Sequence, residues 1–229
     1  MKKLNGVFIF LIILIIHIAG IYTGNYAIEV VTKPLLLIVL AVYFIVSTNS
    51  FSSVLKKWIT GALFFSWVGD VLLLFVNDND VFFLAGLSSF LLAHLSYVFF
   101  FHAVRIRENI KGKFFLLLPV LFYYAILMAV LSPWLGDMKL PVRIYGVVIC
   151  FMLMLALHML YIDDKRAGLM MMAGAILFVA SDSVLAVNKF YTVVKGAGII
   201  IMTTYGIAQL LLIQGAISYI RRDKHSGYP

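Results

Sequence analysis

An aspartate lies inside the apolar stretch FFSWVGDVLLL at residues 64–74, where it is Asp70. A second aspartate, Asp182, has similar surroundings in the stretch ILFVASDSVLA at residues 176–186. Runs of this composition predict helices that cross a membrane, and an ionisable side chain is costly there unless it is neutralised, paired or hydrated. Two such residues in one chain therefore predict a polar functional site inside the membrane.

The composition of the whole chain agrees with a membrane protein. Of its 229 residues, 64% are hydrophobic and 12% are charged, and the mean hydropathy is +1.07. Soluble domains carry a larger charged fraction, so we expect one all-α bundle that occupies residues 1–229. The net charge of +8 lies mainly in short loops, which indicates membrane topology and not a nucleic-acid partner. The single cysteine, Cys150, excludes an intramolecular disulfide framework and a cysteine metal cluster.

Eight apolar segments are long enough, or nearly so, to cross a bilayer. They cover residues 5–22, 33–48, 58–76, 81–103, 114–131, 141–161, 168–187 and 196–220. Basic residues alternate between two sides of the predicted bundle, with thirteen of the 18 on one side, so both termini are predicted to be cytoplasmic. The apolar run that follows Lys2 and Lys3 lacks a small-residue cleavage site, which favours a retained helix over a signal peptide.

Two prolines and the two aspartates indicate a weak repeat. Pro34 and Pro141 each suit the first turn of a helix, where the missing N–H is not needed. They open spans two and six, and Asp70 and Asp182 follow on spans three and seven, at offsets of 107 and 112 residues. These offsets are consistent with a duplication of four helices.

The two aspartates are predicted to share one depth. Asp70 lies seven residues before Asn77 and Asp182 lies six before Asn188, at the outer ends of their spans. A helix rises 1.5 Å per residue, which places both carboxyl groups about 9–10 Å below the outer boundary. A joint site requires this common depth, although the sequence does not show that spans three and seven are neighbours.

Other polar side chains on the spans are candidates for the same site. Lys33 lies at the predicted outer end of span two, Tyr145 lies one turn into span six, and His94 lies on span four. Tyr205 and Gln209 are four residues apart on span eight and therefore share a face. Each also has a structural interpretation: a snorkelling lysine, an aromatic belt, or hydrogen bonds between helices.

Short motifs follow one another in a fixed order from span two to span eight. They are Lys33-Pro34-Leu35, Gly69-Asp70, His94-Leu95-Ser96-Tyr97, Pro141-Val142 with Tyr145, Gly174-Ala175 with Phe178, Ser181-Asp182, Ala186 and Phe190, and Tyr205 with Ala208-Gln209. In these positions the sequence resembles the YhhN family of membrane proteins, which includes the mammalian lysoplasmalogenases.

The resemblance implies an eight-helix membrane enzyme that cleaves the vinyl ether bond of lysoplasmalogens to a fatty aldehyde and a glycerophospho-headgroup. The family's two membrane-embedded aspartates would correspond to Asp70 and Asp182. We expect a lysophospholipid substrate within membrane lipid, no cofactor and no metal, and a location in the bacterial inner (plasma) membrane. The residues expected to bind substrate are Lys33, His94, Tyr145, Ser181, Tyr205 and Gln209.

The expected chemistry suits two carboxyl groups. A vinyl ether is hydrolysed by protonation of its β-carbon, and water then captures the resulting oxocarbenium ion. Two neighbouring carboxyl groups can divide this work as acid and base, as they do in glycoside hydrolysis. The sequence does not say which aspartate has which role. Lys33 is the first candidate for binding the phosphate at the outer rim.

The sequence also bears on four other classes of protein. A proton-coupled carrier of a small amphiphile would also use intramembrane acids and a repeat, but no pair of broken spans is evident near the middle of the membrane. A purely structural membrane protein is a further alternative. A haem enzyme or a zinc hydrolase is disfavoured because the spans show no convincing histidine pair and no HExxH motif.

Overall fold

The computed structural model describes residues 3–76 and 80–223, and within them the chain forms eight α-helices and no strand. The helices are α1 (Lys3–Thr23), α2 (Tyr26–Thr48), α3 (Leu55–Leu73), α4 (Asp80–Arg107), α5 (Leu117–Leu131), α6 (Lys139–His158), α7 (Lys165–Ala186) and α8 (Ala197–Asp223). A π-helical turn, Val187–Tyr191, extends α7, and short 3₁₀ turns precede α5 and flank α6. This confirms the all-α class.

Seven of these eight helices are long and apolar enough to cross a membrane. The exception is α3, whose 19 residues include Lys56, Lys57 and Asp70. Large apolar side chains such as Phe122 and Phe151 are exposed on the outside of the bundle, where lipid would contact them. The chain is therefore an integral membrane bundle, while the count of eight crossings and the cytoplasmic placement of the termini stay predictions.

Consecutive helices pack in pairs: α1 with α2, α3 with α4, and α7 with α8. The α7–α8 pair is the closest, because glycines let the two backbones approach. A Cβ atom added to Gly174 would lie 2.9 Å from the carbonyl oxygen of Ala208, and one added to Gly215 would lie 2.9 Å from that of Ala167. Small residues at such seams are the usual means of tight helix packing in lipid.

The start of the second helix differs from the prediction. The helix begins at Tyr26, not at residue 33, because the side chain of Asn25 caps it by accepting a hydrogen bond from the Ile28 N–H at 3.3 Å. Pro34 is therefore an interior residue, and the prediction that it opens the helix is wrong. Pro141 does lie in the first turn of α6, as predicted.

The difference at Pro34 affects two further predictions. Pro34 and Pro141 do not occupy equivalent helix positions, which removes one correspondence on which the repeat rested, and the repeat itself stays a prediction. Lys33 lies two turns inside α2, so its predicted place at the outer end of the helix is also wrong. At the same end of the bundle as the start of α2, α3 stops at Leu73, and Asn77 lies outside the described residues.

We call the end of the bundle that carries the α1–α2, α3–α4, α5–α6 and α7–α8 connections the outer end. The distribution of basic residues predicts that this end faces away from the cytoplasm. Asp70 lies three residues before the last residue of α3, and Asp182 lies four before the last residue of α7. Both aspartates therefore belong to the outer half of the bundle.

Candidate active site

A narrow cavity of about 50 Å³ opens at the outer end between α3, α4, α5, α6 and α7. Phe83 on α4 and Val142 on α6 line it near the helix starts, whereas Phe90 and Ile149 line it seven residues further along. At 1.5 Å per residue the cavity extends roughly 10 Å along the helices. Its walls are mainly apolar, and the polar side chains that line it are Tyr123, Tyr145, Asp182 and Ser183.

Asp182 is the carboxylic acid among the residues that line this cavity, and two side chains from other helices contact its carboxyl group. The Tyr145 hydroxyl, from α6, donates a hydrogen bond to Asp182 Oδ2. His94 Nε2, from α4, lies 3.3 Å from the same oxygen and 2.8 Å from the Tyr145 hydroxyl. The side chain of Asp182 is 16% exposed, and that of His94 is fully buried.

The surroundings of His94 indicate its tautomer. Its Nδ1 atom is buried and has no hydrogen-bond partner among the described residues, whereas Nε2 faces two oxygen atoms. A proton on Nδ1 would be buried without an acceptor, whereas a proton on Nε2 can be donated in a hydrogen bond to Tyr145 or Asp182. The geometry therefore favours an imidazole whose Nε2 atom is the hydrogen-bond donor.

Asp70 lies in a second polar cluster between α2, α3, α4 and α8. The Tyr205 hydroxyl donates to Asp70 Oδ2 at 2.8 Å, and Lys33 Nζ lies 4.0 Å from Oδ1. The side chains of Lys33 and Asp70 are only 15% and 3% exposed, so this is a largely buried ion pair.

Gln209 extends the cluster around Asp70 towards the interior of the bundle. Its side-chain amide donates to the Ser66 hydroxyl at 3.0 Å and accepts from the Tyr97 hydroxyl at 2.8 Å. The amide nitrogen also lies 3.4 Å from the Tyr205 hydroxyl. These bonds join α3, α4 and α8 and satisfy polar groups that would otherwise be buried without partners.

One phenylalanine separates the two clusters. The Phe178 ring contacts the His94 ring edge-to-face at 4.7 Å and the Tyr205 ring in the same way at 5.3 Å. The carboxyl groups of Asp70 and Asp182 are near enough to interact electrostatically. The two aspartates thus lie in one region, but only Asp182 lines the cavity.

The remaining predicted residues divide between these places. Tyr145 lines the cavity and His94 supports it, while Lys33, Tyr205 and Gln209 surround Asp70. Ser181 is buried away from the cavity lining, and its hydroxyl donates to the carbonyl of Ile201 at 3.1 Å, which ties α7 to α8.

Sequence reasoning missed two cavity residues. Tyr123 and Ser183 form a hydrogen bond of 2.5 Å on the cavity wall. Ser183 follows Asp182 directly in the sequence, and this adjacency could have identified it as a site residue. Tyr123 and Tyr124 are the hydroxyl-bearing residues of span five, but sequence alone does not say which one faces inward. Within the described ranges, no group of three or more His, Cys, Asp or Glu side chains is placed to hold a metal ion.

Comparison with known proteins identifies the family of this chain. The model of the YhhN family matches residues 28–216, which is most of the chain and includes both polar clusters. The chain belongs to the YhhN family. No solved structure matches it.

Named relatives of this YhhN chain include three proteins called lysoplasmalogenase. The lysoplasmalogenase TMEM86B of Rattus norvegicus is 33% identical over 81% of this chain and 70% of its own length. The Homo sapiens TMEM86B is 36% identical over 69% of this chain, and the lysoplasmalogenase of Mycobacterium bovis is 27% identical over 70% of it. The match covers 62% of the human protein's length and 60% of the mycobacterial one.

Proposed function

We propose that this chain is a membrane hydrolase that cleaves the vinyl ether bond of lysoplasmalogen-type lysophospholipids. The products would be a fatty aldehyde and a glycerophospho-ethanolamine or glycerophospho-choline. The names of its relatives support this reaction class. The observation that carries the proposal is the placement of Asp182, held by Tyr145 and His94, in an apolar cavity.

Asp182 supplies the proton that starts the proposed reaction. Protonation of the β-carbon of a vinyl ether gives an oxocarbenium ion, and a positioned acid accelerates this slow step. Tyr145 and His94 both contact Oδ2, so the proton of the carboxyl group resides on Oδ1 in this proposal. Oδ1 has no hydrogen-bond partner within residues 3–76 and 80–223, and we assign it as the proton donor to the substrate carbon.

The same carboxyl group completes the hydrolysis. After it transfers the proton, the carboxylate lies beside the oxocarbenium ion and stabilises its positive charge. It then accepts a proton from the water molecule that adds to the cationic carbon. The hemiacetal formed in this way collapses to the aldehyde and the glycerol alcohol, so that Asp182 begins and ends the cycle protonated.

In this proposal Asp70 is a positioning residue, because it lies outside the cavity lining. It holds the Tyr205 hydroxyl, the Tyr205 ring packs on Phe178, and Phe178 packs on His94. Asp70 therefore acts on the reacting group through three side chains. This differs from the expectation that the two aspartates act as acid and base on one ligand.

The position of the cavity suits an amphiphilic substrate. We infer that the protein lies in the bacterial plasma membrane with the outer end towards the external leaflet. A lysolipid could then place its vinyl ether against Asp182 while its hydrocarbon chain contacts the apolar helix surfaces. The phosphate would stay near the mouth, where water is available. Lys33 is not at that rim, so the phosphate contact predicted for it is not part of this proposal.

Aldehyde release from purified protein tests the function. In detergent, a lysoplasmalogen should yield aldehyde, measured by coupled reduction, whereas the matching alkyl-ether and acyl lysolipids should yield none. Asp182→Asn should lower kcat by at least about a hundredfold, because it removes the acid. Asp137→Asn, the same change in the exposed turn before α6, is the matched control and should keep full activity.

The same protein in sealed liposomes separates the hydrolase from a carrier. Aldehyde release without net movement of the lysolipid across the bilayer supports the enzyme. Movement of the lysolipid without aldehyde would overturn the proposal in favour of a carrier.

A further inference from the structure

The proposed mechanism uses two of the four polar side chains of the cavity and leaves Tyr123 and Ser183 without a role. The Ser183 hydroxyl donates to the carbonyl oxygen of Val179 at 2.5 Å, which occupies its only proton. In the 2.5 Å contact between the two hydroxyls, Tyr123 is therefore the donor and Ser183 the acceptor. Both protons are thus directed away from any ligand.

The Tyr123 oxygen consequently acts as a hydrogen-bond acceptor for a ligand in the cavity. Its proton is given to Ser183, while its lone pairs remain available. Tyr123 lies near enough to Asp182 to interact with it electrostatically, and both residues line the same cavity. The cavity therefore presents a proton donor at Asp182 and, close to it, a neutral acceptor for a hydroxyl group.

A lysophospholipid carries one group that fits this acceptor. Its phosphate and ether oxygens are themselves acceptors at neutral pH and gain nothing from the Tyr123 oxygen. An amine headgroup lies beyond the phosphate, distant from the reacting bond. The sn-2 hydroxyl is a donor, and only the first glycerol carbon and the ether oxygen separate its carbon from the vinyl group.

We propose that the Tyr123–Ser183 pair binds the sn-2 hydroxyl of the substrate and thereby selects lysolipids over phospholipids acylated at that position. This inference rests on the proposed function and adds a specificity site to it. An acyl group at sn-2 removes the donor and adds bulk beside Asp182. A ligand that lacks this hydroxyl leaves an acceptor lone pair of the Tyr123 oxygen unused, so the site discriminates against it.

The test compares two vinyl ether substrates that differ only at sn-2, one with the hydroxyl and one with hydrogen in its place. Aldehyde release gives kcat/KM for each substrate, and the ratio of the two values is independent of the fraction of folded protein. The wild type should prefer the hydroxyl substrate. Tyr123→Phe should reduce this preference by roughly three- to tenfold, mainly by slowing the hydroxyl substrate. Ser183→Ala should shift the ratio in the same direction, because it releases the Tyr123 proton.

Tyr124→Phe is the matched control, since it removes the same hydroxyl from the next residue. Tyr124 does not line the cavity, and its hydroxyl donates to the Arg143 carbonyl at 3.5 Å. This variant should keep the wild-type ratio. An active wild type whose ratio is unchanged by Tyr123→Phe, or changed equally by Tyr124→Phe, would overturn the specificity site alone. A wild type that releases no aldehyde from either substrate would overturn the proposed function instead.

Discussion

Replacing Asp70 with asparagine should destabilise the bundle, because it leaves the Lys33 ammonium group without its counter-charge. The two charged atoms lie 4.0 Å apart, and their side chains are 15% and 3% exposed. Coulomb's law at an effective dielectric constant near 20 gives about 4 kcal/mol for this distance. Removing one partner of a buried pair costs about 3–5 kcal/mol in measured cases. Because Lys33 keeps some contact with solvent, we expect about 3 kcal/mol, the lower end of that range.

Removing both charges should restore most of the lost stability. In the double variant Lys33→Met and Asp70→Asn, no buried charge remains, and the asparagine carbonyl can still accept the hydrogen bond from Tyr205. Replacement of a whole buried pair by neutral groups is often close to neutral in stability. The double variant should therefore unfold within about 1 kcal/mol of the wild type.

A double-mutant cycle measures the coupling directly. The free energy of unfolding of the wild type, both single variants and the double variant would be obtained by titration with a denaturing detergent. Because Asp70→Asn alone should cost about 3 kcal/mol and the double variant at most about 1 kcal/mol, the coupling energy should be at least about 2 kcal/mol plus the cost of Lys33→Met alone. The exposed pair Arg222–Asp163, at 3.3 Å and with side chains 48% and 79% exposed, is the control. Although its atoms are closer, its coupling should stay below about 1 kcal/mol.

Two results would refute this reasoning about Lys33 and Asp70. A coupling energy near zero would mean that the pair is hydrated or neutral in the folded protein. A double variant as unstable as Asp70→Asn alone would mean that the charge pair is not the reason for the loss. The same double variant also tests the positioning role of Asp70, since it should keep aldehyde release within about tenfold of the wild type if the Tyr205 contact survives.

Further predictions concern the cavity and the helix seam. Tyr145→Phe removes the hydroxyl that donates to Asp182, and it should lower kcat by roughly ten- to a hundredfold with little change in KM or in unfolding, as measured by steady-state kinetics and thermal melting. Gly174→Ala should destabilise the fold by about 1–3 kcal/mol, because the new Cβ would lie 2.9 Å from the Ala208 carbonyl oxygen. Gly112→Ala, whose Cβ would meet only an Arg105 nitrogen at 3.6 Å, should change the unfolding free energy by less than about 0.5 kcal/mol.

The sequence was sufficient for the class of fold because each helix is predicted by its own apolar run. The same local reasoning failed at Lys33 and Pro34, since a proline inside a membrane helix can be accommodated when neighbouring groups satisfy the backbone. The capping residue Asn25 and the acidic Glu29 in the first turn were the signals for the earlier start.

The sequence alone could not predict which of the site residues lie in contact with one another. Asp182, Tyr145 and His94 come from three helices, and their contact depends on how α4, α6 and α7 are rotated about their axes. For the same reason the two neighbouring tyrosines of α5 could not be distinguished, although only Tyr123 lines the cavity. The sequence pattern indicates which side chains are unusual in a membrane, whereas the packing of the helices determines which of them are in contact.

The ring of Phe178 has a consequence for the protons of the site. It lies between Tyr205 and His94 and carries no group that can relay a proton, so no proton can pass from Asp70 to Asp182 along the Tyr205–Phe178–His94 contacts. The proton that Asp182 gives to carbon in the proposed reaction is returned by the attacking water on the same side of that ring. Turnover should then move no net charge through the bundle, and neither a pH gradient nor a voltage across the bilayer would drive it.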